Sequence, residues 1–488
     1  MLFNSLGFAL FLPIVFFLYW FATKRKLKYQ NILLLIASYF FYASWDYRFL
    51  FLLIFSTFLD YSTGIKMDEA KNQKMKRFWF WLSICVNLGF LGVFKYYNFF
   101  ATSFADALSL FGLKTNPWIL QVILPVGISF YTFHGLSYVI DIYNGKIKPE
   151  KNFIDYSLFV GFFPLLVAGP IERATHLLPQ IKKERHFDAA KAVDGLRQIL
   201  WGFFKKIVIA DNCADYVNTI FNNAADHSGS TLVLGAVFFA IQVYADFSGY
   251  SDIALGVARL FGIELLRNFA FPYFSRDIAE FWKRWHISLS SWLRDYVFDP
   301  ISIEKRDWGK YALIYATFIT FFISGLWHGA NWTFIVWGLL HATYYIPLLL
   351  AKKRRKMTSI VAQGKFFPSF REVYDMTATF SLVVFALIFF RARDLNHAFS
   401  YIKGIFSRSL FKSPDIKALV GSQNHPYILF VFIFLFMLME WMGREHQYAL
   451  AAFGLKWPKA ARWAFYYCIA LFIFLFAGKE QQFIYFQF

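Results

Sequence analysis

The chain has 488 residues, of which 58% are hydrophobic, 22% aromatic and only 17% charged. Soluble globular domains are less apolar and more charged than this, and disordered chains more polar still. Three cysteines, Cys85, Cys213 and Cys468, are too few and too scattered for a disulfide scaffold. The formal charge of +19 falls in short clusters between apolar runs, at 24–26, 71–77, 182–183 and 352–356. That is the pattern of cytoplasmic loops in a polytopic membrane protein, attracted to anionic lipid headgroups, and it leaves no role for nucleic acid.

In chain order, the first apolar run covers 6–22. No basic region precedes it and no small-residue cleavage site follows, so a retained span is expected rather than a signal peptide. The next run, 31–65, is long enough for two spans broken around Trp45 and Asp46. Others lie at 78–94, 119–140, 153–170, 195–221, 231–247, 311–327, 331–350, 373–391, 427–442 and 460–478. At roughly 20 residues per crossing, this implies an all-α polytopic integral membrane protein with about 11–13 transmembrane or re-entrant helices. No internal repeat or low-complexity linker is visible, so a single domain over 1–488 is expected. The basic loops set orientation: with 24–28 inside, the N-terminus lies outside, and 66–77 and 145–151 each return inside after two crossings.

Segment 244–300 is too polar for lipid and too apolar for a soluble loop. Irregular or charged backbone at membrane depth is tolerated where protein buries it or water lines it, so re-entrant and amphipathic half-helices are expected. The chain has no G-x-S-x-G elbow, Walker A loop, G-x-G-x-x-G fingerprint, H-E-x-x-H motif or zinc-spaced Cys/His pairs. Those absences remove the usual signatures of elbow hydrolases, ATP-driven transport, dinucleotide enzymes and zinc proteases, and no metal site is expected.

Three stretches carry the polar chemistry. In the first, 242–252, Asp246, Ser248 and Asp252 fall at an expected helix break, where they either cap half-helices or line a substrate or donor cavity. In the second, 276–296, Trp282, Trp285, Leu289 and Trp292 share one face of a helix, and Glu280 stands four residues before Arg284. This reads as an interfacial amphipathic helix anchored by tryptophan, which does not account for the titratable His286. The third, Ser324-Gly325-Leu326-Trp327-His328-Gly329-Ala330-Asn331-Trp332, interrupts a long apolar run. Gly325 and Gly329 form a G-x-x-x-G pair that admits a neighbouring backbone, and an ionisable His328 at this depth marks function. His341, about 220° further round a continuous helix, would not share its face and is expected to be a packing residue. His134 and His176 have the same status, the latter beside an expected re-entrant corner at 169–173.

Taken together, these stretches resemble the membrane-bound O-acyltransferase family, in the bacterial branch that contains the membrane subunit of alginate O-acetylation. The matching residues are 246–252, Phe271-Pro272-Tyr273-Phe274-Ser275-Arg276, 281–288, 292–296 and 325–332, with the 169–170 corner and the terminal 483–488. After Tyr296 the chain departs from the Pro-Leu-Gly-Gly turn of the branch, reading Val297-Phe298-Asp299-Pro300. The resemblance implies a catalytic core over about 125–350 with a central funnel, His328 as the catalytic residue and His286 as a second functional histidine. Substrate or donor contacts are expected at Asp246, Ser248, Arg276, Trp282, Lys283, Arg284, Trp285, Ser288, Arg294, Trp327 and Asn331. No cofactor is bound permanently; acetyl-CoA or another acyl thioester is the expected donor. The expected partners are membrane lipids, a polysaccharide acceptor and a periplasmic acetyltransferase, in a bacterial inner membrane with the N-terminus periplasmic.

The chemistry is consistent with that likeness. Acyl transfer to a hydroxyl needs a base, which histidine supplies near neutral pH, and a donor for the oxyanion, either backbone N–H groups or His286. Whether His328 acts as base or carries the acyl group is open at this point. A glycan transporter would also use re-entrant segments, but it predicts repeats related by pseudo-symmetry. A pure scaffold predicts that replacing His328 changes nothing.

Overall fold

Every regular element among the described residues is a helix. Lipid supplies no hydrogen-bond partner, so long apolar runs must satisfy their backbone groups within each segment. The computed structural model describes all residues except 25, 122, 352–359, 416–425, 478–480, 482 and 485–488. The basic cluster at 352–356, Arg25 in the first cluster, and the 485–488 part of the terminal motif therefore lie outside the described residues.

Among the described residues, six helices are long and apolar enough to cross a membrane: Tyr47–Asp68, Gln73–Leu110, Gly229–Leu260, Lys310–His328, Trp332–Leu350 and Phe370–Arg391. Leu6–Ala22 and Tyr427–Gly443 are shorter apolar helices. The chain is thus a polytopic all-α membrane protein. The expected break near Trp45 is present, with Asp46 accepting from the Arg48 N–H at 3.0 Å to cap Tyr47–Asp68. Two expected spans differ from the hydropathy runs. The helix expected from 119 begins only at Ile128, after Gly127 turns the chain at φ 75°. The run at 153–170 is divided between Phe153–Gly161 and the four-residue turn Phe163–Leu166, and its apolar side chains are buried in protein.

The described chain forms two compact units, one of residues 1–195 with 257–266 and the other of 196–256 with 267–488. In the first, polar groups join apolar helices: Asp60 accepts from Ser83 Oγ at 2.6 Å and Asn87 Nδ2 at 2.8 Å. Gly135 makes room for that carboxylate, because a Cβ built there would fall on it. His134 and His176 serve the 169–173 corner. Glu172 N–H donates to His134 Nε2 at 3.1 Å, and the buried Glu172 carboxylate meets His176 Nδ1 at 2.7 Å.

In the second unit the 242–252 stretch does not break. Gly229–Leu260 is one 32-residue helix, 83% buried over its apolar window, with Asp246 and Ser248 in its middle. The capping and helix-break readings are therefore both corrected. The reason is the π-helical turn at Phe204–Ala210, which presents two buried lysines to this helix. Lys206 bridges Asp246 and Asp211 at 2.8 Å each; Lys205 meets Asp252 at 2.5 Å and donates to Ser248 Oγ at 3.0 Å. Opposed carbonyls at Gly202 and Gly249 leave no space for a Cβ on either residue, so the two backbones approach closely. Charges matched this way need no helix break to reach water.

Candidate active site

The second unit brings both candidate histidines against one tryptophan. Lys310–His328 ends at Gly329, and Asn331 caps Trp332–Leu350 by accepting from Thr333 N–H at 3.0 Å. Asn331 Nδ2 also donates to the Arg393 carbonyl at 2.9 Å, fixing the corner from outside. The two helices pack closely because a Cβ on Gly325 would strike the Phe334 carbonyl, and one on Gly338 the Phe321 carbonyl. At the end of the first helix His328 is buried, its ring centre 4.9 Å from Trp327, 4.9 Å from Trp337 and 5.2 Å from Phe390. His341 is buried as well, accepting from Trp282 Nε1 at 3.3 Å, with its ring 5.1 Å from Trp337. On one continuous helix His341 would face away from His328. The break at 329–331 puts them on two, and Trp337 packs against both.

The 276–296 stretch is not one helix. Ile278–Arg284 and Ile287–Leu293 are separated by extended Trp285 and by His286, whose backbone is left-handed at φ 43°, ψ 54°. Trp282, Trp285 and Trp292 are buried in protein, so the interfacial-anchor reading is corrected. All three side chains pack inward from separate elements, and His286 at the kink is buried with them. Its ring lies edge-on to Phe247 at 4.6 Å and 5.8 Å from Trp327. Burial pushes the imidazole pKa down to about 3, so the ring is neutral. Its Nδ1 lies 3.3 Å from Asn268 Oδ1, which also accepts from Ser288 Oγ at 2.6 Å.

The remaining expected contacts divide into two groups. Trp327 packs against both histidine rings; Trp282 and Trp285 are buried against His341 and Phe269, and Ser288 bonds Asn268. Arg276 and Arg284 instead both bind Glu280, at 3.0 and 2.8 Å, and Arg276 also reaches Glu372 at 3.5 Å. Burial raises the Glu280 pKa, but hydrogen bonds from Arg276 and the charge of Arg284 outweigh it and hold the carboxyl ionised. Lys283 is exposed, and Arg294 is exposed and paired with Asp295 at 2.8 Å. Asp246 and Ser248 are held by Lys206 and Lys205 as described. Ser248 also borders a small polar cleft with Lys205, Ser251, Asp252, Arg267 and Asn268.

Sequence reasoning missed Asn268, Trp337 and Phe390. The two aromatics sit in ordinary apolar runs, and nothing local distinguishes Asn268 from a loop residue. Only the pairing of 268–270 with 284–287 gives it a role.

Residues 143–390 match the model of the membrane-bound O-acyltransferase family. The chain is 36% identical to the probable alginate O-acetylase AlgI of Pseudomonas aeruginosa, over 94% of this chain and 85% of that protein. It is 31% identical to the peptidoglycan O-acetyltransferase of Helicobacter pylori, over 100% and 98% respectively. Similarity extends to the teichoic acid D-alanyltransferase of Bacillus subtilis, 29% identical over 56% of this chain and 70% of that protein.

Proposed function

The chain belongs to the membrane-bound O-acyltransferase family and is an acyltransferase, and on that premise we propose that it moves an acetyl group from a cytoplasmic thioester to an extracytoplasmic hydroxyl. The acceptor is a polysaccharide or a periplasmic acetyltransferase that passes the group onward; acetyl-CoA is the donor. The relatives named as alginate and peptidoglycan acetylating proteins support a glycan acceptor. The protein sits in the inner membrane with its N-terminus periplasmic, a reading supported by the basic loops at 66–77 and 145–151.

One observation carries the proposal: a titratable His328 is buried at the end of a spanning helix among Trp327, Trp337 and Phe390. A neutral imidazole there takes the proton of the acceptor hydroxyl as its oxygen attacks the thioester carbonyl. The tetrahedral intermediate collapses, the C–S bond breaks, and the proton passes to the departing thiolate. The products are an ester and a free thiol. The surrounding aromatic rings exclude water, which would otherwise compete as the nucleophile. His286, whose ring packs against the same Trp327, contacts the substrate as well.

The test is thiol release and ester formation by purified protein given acetyl-CoA and a polysaccharide. Wild type should form both products together, and His328→Ala should form neither while eluting as a folded protein. Wild-type rates from folded His328→Ala would refute the assignment.

A further inference from the structure

We propose that Asn268 is a positioning residue that fixes the left-handed turn at His286 and holds its ring as the Nδ1–H tautomer. The proposal rests on the reading of His286 as a functional residue.

His286 occupies a left-handed backbone region that L side chains adopt uncommonly, and its neighbours favour it there. Segment 268–270 brackets the residue, with Ala270 before it and Asn268 after it. The Asn268 carbonyl accepts from Ile287 N–H at 2.9 Å, and two residues on, Ala270 N–H donates to the Arg284 carbonyl at 2.9 Å. The turn is thereby bracketed by a short antiparallel pairing between 268–270 and 284–287. The Asn268 side chain closes it. Nδ2 donates to Ser251 Oγ at 3.2 Å, tying the turn to the Gly229–Leu260 helix.

The chemistry of Oδ1 then decides the tautomer. Ser288 backbone N–H donates to it at 3.4 Å and Ser288 Oγ lies 2.6 Å away. A backbone N–H has no other role, so this atom is the amide oxygen and accepts only. The His286 Nδ1 facing it at 3.3 Å must carry the hydrogen. A neutral imidazole has one N–H, so the lone pair resides on Nε2. His286 therefore offers the substrate an acceptor for an O–H or N–H. It does not serve as the oxyanion donor that its residue type alone would allow, because Nε2–H would turn the Nδ1 lone pair onto Oδ1.

The experiment is solid-state nitrogen NMR of protein labelled at histidine in lipid bilayers, with the His286 signals identified by their loss in His286→Asn. Wild type should show a protonated Nδ1 and an unprotonated Nε2. Asn268→Ala should populate Nε2–H and lower kcat about 10- to 100-fold, by analogy with loss of the partner that orients a metal-ligating histidine. Asn268→Asp keeps the acceptor oxygens and should restore both the Nδ1–H signal and most of the rate, which a loss of folding would not allow. An Nε2-protonated ring in wild type, or an unchanged Nδ1–H ring in Asn268→Ala, overturns the proposal. Wild-type transfer by His286→Asn would instead defeat the functional reading of His286, and the wild-type ring spectrum would still decide the tautomer.

Discussion

The corners that hold His328 and His286 are built by opposite means. The His328 corner is local: Gly325, Gly329 and Asn331 lie within a few residues of the histidine, and they make the helix end, the close approach and the cap. The His286 corner is assembled from a distance, by Asn268 and, through it, Ser251 on another helix. A corner of the first kind is legible in a short stretch of chain. One of the second kind is visible only after folding has brought its parts together.

The difference can be tested in order of expected effect. At the local corner, His328→Gln keeps volume and hydrogen bonding but removes the base, so kcat should fall about 100- to 10,000-fold without loss of folding. Steady-state acetyl transfer checks this, and a loss below tenfold would move the base elsewhere. The long-range packing around Gly229–Leu260 should respond in stability rather than rate. Lys206→Met strands two buried carboxylates, Asp211 and Asp246, and should cost about 3–5 kcal/mol in thermal or denaturant unfolding in detergent. An unchanged unfolding midpoint would mean that these charges are satisfied in some other way.

Two smaller effects separate backbone from ring. Gly325→Ala places a Cβ against the Phe334 carbonyl and should cost about 1–3 kcal/mol of stability, measured in the same unfolding experiment. The smallest expected effect is on pH dependence. Because burial holds His286 near a pKa of about 3, it stays neutral from pH 5 to 8. His286→Asn, whose side chain tolerates a left-handed backbone, should therefore lower the pH–rate profile without moving its acid limb. A shifted limb would show that His286 titrates during turnover.

The break at 329–331, the close approach at Gly325, the Glu280–Arg284 pair and the membrane class were all written in local spacing. The break assigned to 242–252 was wrong because its signal, polar residues in an apolar run, is also what a helix shows when lysines from another segment neutralise it. Lys205 and Lys206 stand some 40 residues away, beyond any periodicity argument. The tryptophans at 282, 285 and 292 were correctly grouped as one apolar set, yet hydropathy cannot distinguish lipid from protein as what covers them. Asn268 had no signal at all, since its importance comes from the oxygen it presents to a turn eighteen residues later.

In the proposed function, acyl transfer joins the two sides of the membrane at His328. The most direct measurement uses oriented proteoliposomes with acetyl-CoA on the cytoplasmic face only and a polysaccharide on the other. The account predicts esterified polysaccharide on the far side with free thiol on the near side, and neither product with His328→Ala. Ester formation only when donor and acceptor share a compartment, or equal transfer by His328→Ala, would contradict it.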